Sequence, residues 1–216
     1  YLVEMVSDVE KLNIKNPELC TYVTQTTLSV NDAHDIIMAL KNIAKIVQAK
    51  SGNPILRDFA EPVALKEIGS EKIKKIIDDM KNSLDKEDEG VAIAAPQIGI
   101  PLRIFVVSKK IFELLDVPKN SKSKFDDLVF INPEIIKLSK EKEVMEEGCL
   151  SVRDYYGKIK RATKTTVRAY DENGKVFERG GSRLLAQIFQ HEIDHLNGIL
   201  FTDSAKDVQK ITKEKK

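Results

Sequence analysis

Two histidines with an acid directly after the first are the residues of this chain best suited to chemistry. They stand in the stretch QHEIDHLNG, as His191, Glu192 and His195. On a helix, side chains four positions apart share one face, with Cβ atoms about 5–6 Å apart, so both imidazoles can bind one metal ion. The acid can then accept a proton from a water at that metal. The alternative is a helix with incidental histidines, which is the weaker interpretation because the chain has only three histidines.

A third ligand decides which class of enzyme such a pair belongs to. An HExxH pair alone is typical of zinc peptidases. The longer pattern HExxHxxGxxH matches at Gly198, but Phe201 replaces its last histidine, and the only downstream glutamate, Glu214, lies in a lysine-rich tail. A zinc endopeptidase is therefore the alternative enzyme class. Upstream, Cys149 follows Gly148, and a thiolate binds first-row metals strongly. A lone cysteine is otherwise a small buried hydrophobe, but the paired histidines favour a ligand.

Helical periodicity predicts three helices that could position or flank these residues. The first follows Asn31, near the N-terminus. The second has Ser70 as its cap and an apolar stripe with helical spacing. The third carries the histidine pair, and we expect Ser182 to cap it and Gly198 to end it.

Short β-rich runs predict strands between the second and third helices. RIFVV, residues 103–107, and LVFIN, residues 128–132, are expected to be buried strands. The run KTTVRAYDENGKVFE predicts a hairpin that turns at Asn173-Gly174. The lysine-rich end of the chain, KDVQKITKEKK, is expected to be a solvated tail or a frayed helix.

Three separated motifs resemble those of the peptide deformylase family. They are GVAIAAPQ at residues 90–97, EGCLS at residues 147–151 and QHEIDH at residues 190–195, in the order usual for that family. Either of the first two alone is a weak signal, but all three in order are specific. With flanking similarity, the likeness runs from about residue 51 to residue 204.

The resemblance implies an α+β fold with small antiparallel sheets packed around a central helix that carries HExxH, and an N-terminal extension containing a helix. We expect an N-terminal extension over residues 1–50 and a deformylase-like catalytic domain over residues 51–205. Residues 206–216 would be a lysine-rich C-terminal tail. The activity implied is removal of the formyl group from the N-terminal formylmethionine of new polypeptides, with release of formate.

The resemblance also implies a role for each motif residue. Cys149, His191 and His195 would bind the metal. Glu192 would take a proton from water and later deliver one to the departing amine. Iron(II) is the expected ion, and zinc, nickel or cobalt would also suit a thiolate with two imidazoles.

Further residues are implied in stabilising the reaction and in binding the peptide. Gln97 and the backbone N–H of Leu150 would donate hydrogen bonds to the oxyanion at the formyl carbon. The residues expected to bind substrate are Val91, Ala92, Gly148, Leu184 and Ile188. Two positions depart from the family pattern, in which glycine is common at Ala92 and proline at Arg153.

Composition limits the partners of this chain to those recognised locally. Lys+Arg 35 against Asp+Glu 34 leaves a net charge of +1, so no global field predicts sequence-specific nucleic-acid binding or attraction to an anionic membrane. The expected partners are N-formylmethionyl peptides on nascent chains. The basic tail could contact the ribosome, although a solvated tail is the simpler interpretation.

Targeting is predicted from the first 50 residues. They contain six acids and no arginine, which fits neither a secretory signal nor an arginine-rich transit peptide. The apolar stretch from Gly90 to Val107 is interrupted by Gln97 and Arg103, so it predicts a buried segment rather than a membrane span. We expect a cytoplasmic protein of bacterial type, with an organelle as the alternative.

Overall fold

The computed structural model describes residues 46–115 and 126–211. The predicted helix after Asn31 lies outside the described residues. Within them the chain forms three α-helices and eight strands. The helices are α1 (Glu71–Asp85), α2 (Lys110–Leu114) and α3 (Leu184–Leu196). The strands are β1 (Ala92–Ala94), β2 (Ile104–Val107), β3 (Leu128–Leu138), β4 (Lys142–Cys149), β5 (Val152–Ala162), β6 (Lys164–Tyr170), β7 (Val176–Ser182) and β8 (Lys206–Lys210).

The larger sheet separates two apolar clusters. It has five antiparallel strands in the order β1-β2-β3-β6-β7. Successive side chains of a strand point to opposite faces. Phe105 and Val107 of β2 therefore pack in the cluster that contains apolar residues of α3, whereas Ile104 and Val106 pack in the cluster that contains those of α1. The predicted α+β class with antiparallel sheets is confirmed.

Helix α1 begins where the sequence predicts. The Ser70 hydroxyl accepts a hydrogen bond from the Ile73 amide at 3.3 Å, which satisfies one of the free N–H groups of the first turn. Ile73, Ile77 and Met80 recur with helical spacing and are buried against the sheet. Fully burying a side chain of this kind stabilises the fold by about 1.5–3 kcal/mol.

Helix α3 begins differently from the prediction. Ser182 is the last residue of β7, paired with Lys164, and does not cap the helix. Arg183, with φ 49°, turns the chain directly from strand into helix. The helix ends at Leu196, and Gly198 follows with φ 72°. A Cβ at Gly198 would lie 2.3 Å from the Arg57 carbonyl oxygen, so only glycine fits there.

The smaller sheet consists of three strands, none of which the sequence predicted individually. Its order is β4-β5-β8, with all pairs antiparallel. Residues 206–210 form β8 rather than a solvated tail or a frayed helix, because the edge of β5 offers backbone groups to pair with. All five residues of β8 are nonetheless exposed. Lysines on such an edge oppose pairing with further chains.

No helix within the described ranges is both long enough and apolar enough to cross a bilayer.

Candidate metal centre and substrate cavity

The ends of β4 and α3 bring three metal-binding side chains together. Cys149 is the last residue of β4, and His191 and His195 are one turn apart on α3. The Cys149 Sγ and the His195 Nε2 lie 3.2 Å apart. One ligand atom from each of the three residues lies within 4.8 Å of the others. A thiolate with two imidazoles is a donor set that first-row divalent metals accept, so the residues present fit a metal ion.

The electrostatics of the cluster favour the metal-binding form of the cysteine. Burial by itself raises the pKa of the Cys149 thiol. The neighbouring His195 and His191 lower that pKa more strongly, to about 5. Because the thiolate is the species that binds metals, the cluster holds the sulfur ready for an ion at neutral pH.

A buried ion pair orients the first histidine. The His191 Nδ1 donates to the Glu147 carboxylate at 2.7 Å, and Arg161 donates to both oxygens of the same carboxylate at 2.8 and 3.1 Å. Burial raises the pKa of Glu147, but the hydrogen bonds from His191 and Arg161 outweigh it and hold the pKa at about 2. With Nδ1 engaged, Nε2 of His191 is left for a metal.

Sequence reasoning gave no role to Glu147 or Arg161. A signal for Glu147 was available, because it stands two residues before Cys149 on a strand, and such residues point to the same face. Arg161 carries no comparable local signal. Its guanidinium also donates to Asp194 of α3 at 2.6 Å. Arg161 of β5 therefore connects Glu147 of β4 with helix α3.

Two glutamines of α3 hold the helix against the smaller sheet. The Gln190 side chain accepts from the Ala162 amide and donates to the Ala162 carbonyl, both at 3.0 Å. Gln187 donates to the Glu146 carbonyl at 2.8 Å. These contacts attach α3 to β5 and to β4, which is how the histidines come to lie beside the cysteine. No local pattern in the sequence indicates either role.

The side chain of Gln97 is buried and bonded at both ends of its amide. Its Oε1 accepts from the Ala94 amide at 2.8 Å, which closes the 3-10 turn Ala95–Ile98 after β1. Its Nε2 donates to the Ser151 hydroxyl at 3.2 Å and lies 3.6 Å from the Cys149 Sγ. The same side chain therefore stabilises a turn and places an N–H donor beside the cluster.

Glu192 faces the cavity from the helix. It is 4% exposed, and its Oε2 has no hydrogen-bond partner within the part of the chain that the structure describes. Leaving a buried carboxylate oxygen without a hydrogen-bond partner costs free energy. We therefore expect a bound group in the cavity to donate a hydrogen bond to this oxygen. Burial raises the pKa of Glu192 to about 7.

A cavity of about 590 Å³ brings the other candidate residues together. The five residues expected to bind substrate all line it, as do Gln97 and Leu150. Two of the three candidate ligands, Cys149 and His191, line it together with Glu192. His195 is 1% exposed and is not part of the lining.

Comparison with known proteins identifies the family. A family model described as polypeptide deformylase matches residues 43–211. This chain belongs to the peptide deformylase family. Peptide deformylase from Bartonella quintana is 43% identical over 158 residues, which are 73% of this chain and 82% of that protein. The chloroplastic/mitochondrial peptide deformylase 1A of Arabidopsis thaliana is 41% identical, over 71% of this chain and 58% of that protein.

Solved structures agree with this assignment. The Met-Ala-Ser-bound class I type b peptide deformylase from Acinetobacter baumannii has a TM-score of 0.62 and 34% identity, and covers 74% of this chain and 97% of that one. Peptide deformylase from Thermotoga maritima has a TM-score of 0.62 and 36% identity, and covers 76% of this chain and 97% of that one. The family predicted from the three motifs is confirmed.

Proposed function

We propose that this chain is a metal-dependent hydrolase that removes the formyl group from the N-terminal formylmethionine of nascent polypeptides and releases formate. The observation that carries the proposal is the meeting of Cys149, His191 and His195 beside the cavity that Glu192 faces, in a chain of the peptide deformylase family.

The metal would be held by Cys149, His191 and His195. A divalent ion in such a site would supply a nucleophile at neutral pH by lowering the pKa of a water toward about 7. We propose iron(II) as the native ion, with zinc, nickel or cobalt able to replace it, since this donor set suits all four. Glu147 and Arg161 would keep His191 in the tautomer and orientation that metal binding needs.

Glu192 would carry the proton through the reaction. Its unpartnered Oε2 is supplied with a partner when a water occupies the site, and the carboxylate accepts that water's proton as the water attacks the formyl carbon. The protonated side chain then donates to the departing amine. A pKa of about 7 suits both steps, because the proton-accepting and proton-donating forms are then both accessible at neutral pH.

Gln97 and Leu150 would stabilise the negative charge that develops on the formyl oxygen. The Gln97 amide is held in place by the Ala94 amide and the Ser151 hydroxyl, so its N–H group needs no reorientation during the reaction. Donors fixed in this way typically contribute about 10²–10³ in rate. An uncharged amide also releases formate more readily than a cation would.

The peptide would bind along the edge of the larger sheet. β1 is at one end of the strand order, so one of its edges has no neighbour among the described strands. An extended peptide can add there as a further strand, beside Val91 and Ala92. Leu184 and Ile188 of α3 line the same cavity and would form the apolar pocket for the methionine side chain. Gly148 lines the same cavity beside the Tyr156 ring, and its backbone would lie next to the bound peptide.

We further propose a cytoplasmic location in a bacterium, with an organelle as the alternative. The relatives include bacterial proteins and a protein named chloroplastic/mitochondrial. Contact with the ribosome through Lys206 and Lys210, which are exposed on β8, is a further proposal, and binding of the intact chain to purified ribosomes at several salt concentrations tests it.

Formate release is the measurement that tests the proposed activity. The intact chain is purified without oxygen, its metal content is determined, and formate release from formyl-Met-Ala-Ser is followed. We expect release in proportion to bound metal, loss of release on chelation, and recovery on adding back iron(II). Cleavage of an internal bond in an unformylated peptide, without formate release, would contradict the proposal and favour a zinc endopeptidase.

A further inference from the structure

Away from the metal centre, charged and aromatic side chains join two walls of the cavity. One wall is the segment between α1 and β1, and the other is the start of β5. Arg153 of β5 forms an ion pair with Glu87, and the Tyr156 hydroxyl donates to Glu89 at 3.4 Å. All four residues line the 590 Å³ cavity. Charged groups of both signs therefore face the space in which a peptide would lie.

A bulge in β5 directs Arg153 toward the opposite wall. In the pairing of β4 with β5, Cys149 is opposite Val152, whereas Gly148 is opposite Tyr156, so residues 153–155 have no partner on β4. Asp154 has φ 67°, and its carbonyl accepts from the Ile211 amide at 2.8 Å. Such bulges re-aim side chains next to active sites. The direction of Arg153 is thus built into the backbone.

The wall that carries Glu87 is firmly held. The Glu87 carbonyl accepts from the Gly90 amide at 3.1 Å and from the Lys110 Nζ at 3.2 Å. A Cβ at Gly90 would lie 2.9 Å from the Glu87 Cβ, which leaves room only for glycine. The Glu87 side chain is 20% exposed and that of Arg153 is 49% exposed. Arg153 is therefore the more adjustable partner, although both are reachable from the cavity.

We propose that Arg153 and Glu87 determine how the enzyme discriminates charged side chains in the peptide residues that follow the methionine. This inference rests on the proposed function and deepens it. A peptide added beside Val91 runs next to both walls, and each further residue advances it by about 3.3 Å. Arg153 attracts a carboxylate of the peptide, Glu87 attracts an ammonium or guanidinium group, and each partner reduces the effect of the other.

The test compares formyl-Met-Ala-Lys with formyl-Met-Ala-Glu, and formyl-Met-Lys-Ala with formyl-Met-Glu-Ala. For each pair, the ratio of kcat/KM for the lysine peptide to that for the glutamate peptide is measured with the intact, metal-loaded chain. Because partly exposed charges interact weakly, we expect Arg153→Gln to raise this ratio about two- to fivefold for at least one pair. Glu87→Gln should lower the ratio of the same pair by a similar factor.

Two further measurements distinguish recognition of peptide charge by this pair from a purely structural role in which the pair only links the two walls. The double variant should bring the ratio back close to the wild-type value, and about 0.5 M salt should reduce both single shifts because it screens exposed charges. If the pair served only to link the two walls, its loss would lower kcat/KM for both peptides alike and leave the ratio unchanged. Ratios that do not move, or that move in the same direction in both variants, would overturn the inference.

The chain offers a matched control. Arg168 and Glu178 form an exposed ion pair at 2.8 Å between β6 and β7, and neither residue lines the cavity. Arg168→Gln should leave the lysine-to-glutamate ratio at the wild-type value. If the wild-type chain releases formate from none of the four peptides, the proposed function fails. If it releases formate and the ratios are unchanged in the Arg153 and Glu87 variants, only the present inference fails.

Discussion

Two arginine–glutamate pairs of this protein differ in burial, and the difference predicts that one pair holds the candidate site in place while the other only adjusts its preference for charged peptides. Arg161 and Glu147 have side chains 9% and 4% exposed, and Glu147 accepts a hydrogen bond from His191, the first histidine of the candidate metal centre. Arg153 and Glu87 are 49% and 20% exposed and join two walls of the 590 Å³ cavity. Both pairs join the same two residue types, but their different burial predicts different effects on substitution.

The two pairs are expected to differ because the charge that remains after its partner is removed is buried in one case and reaches water in the other. Removing one partner of a buried pair leaves the other charge without water or a counter-charge, at a cost of about 3–5 kcal/mol. An exposed pair exchanges its partner for water at a cost of about 0–1 kcal/mol. The inner region should therefore respond to substitution with large losses, and the outer wall with small shifts in preference.

The largest effect is expected at Glu192, whose buried Oε2 has no hydrogen-bond partner among the residues that the structure describes. Glu192→Gln should keep its metal and lose about 10²–10⁴ in kcat, because the amide cannot accept the proton. Formate release and metal content of the same sample measure this. If the variant lost its metal, Glu192 would be a ligand rather than a proton carrier.

Gln97→Ala should reduce kcat by about 10²–10³, since it removes a donor beside the cluster. Ser151→Ala is the matched control, because it removes only one acceptor of the Gln97 amide and leaves the contact with the Ala94 amide. Its loss should be much smaller. Equal losses in the two variants would contradict the assignment of the effect to the Gln97 donor itself.

Arg161→Ala should lower the free energy of unfolding by about 3–5 kcal/mol, because it leaves the buried Glu147 carboxylate without its main cation. Metal affinity should also fall, by about 10–100-fold, as His191 loses its orientation. Urea unfolding and metal titration measure the two effects. Arg168→Ala is the exposed counterpart, and a loss as large as that of Arg161→Ala would contradict the comparison.

Gly148→Ala tests how closely the outer wall packs on the inner cluster. A Cβ there would lie 2.6 Å from the Tyr156 ring, so the ring must move away from the chain beside Cys149. We expect a loss of about 1–3 kcal/mol in the free energy of unfolding, as for other overpacked sites. Adding Tyr156→Ala should remove most of the extra cost, and a double-mutant cycle measures that coupling.

The smallest change in stability is expected at Arg153. Arg153→Ala should alter the free energy of unfolding by less than about 1 kcal/mol, since the Arg153 side chain is half exposed and water can reach the Glu87 carboxylate from the cavity. Urea unfolding of this variant beside Arg161→Ala places both arginines on one scale. A loss of several kcal/mol would show that the outer pair is structural, contrary to the comparison.

Much of the candidate site could be predicted from local spacing. The i, i+4 rule placed His191 and His195 on one helix face, and the three motifs supplied Cys149 and Gln97 through the family resemblance. The cap of α1 at Ser70 and the turn at Asn173-Gly174 also followed from neighbouring residues. The predicted cap of α3 at Ser182 was wrong, because pairing of β7 with β6 holds that serine in the sheet.

The sequence by itself determined the family, the α+β class and the residues that can bind a metal, because these depend on residue types at short, regular separations. Only the tertiary structure decided that Arg161 binds Glu147, that a bulge turns Arg153 toward Glu87, and that residues 206–210 pair as a strand. Those contacts join residues far apart in the chain. Which partner each residue meets depends on how the sheets and helices pack, and no local pattern encodes that packing.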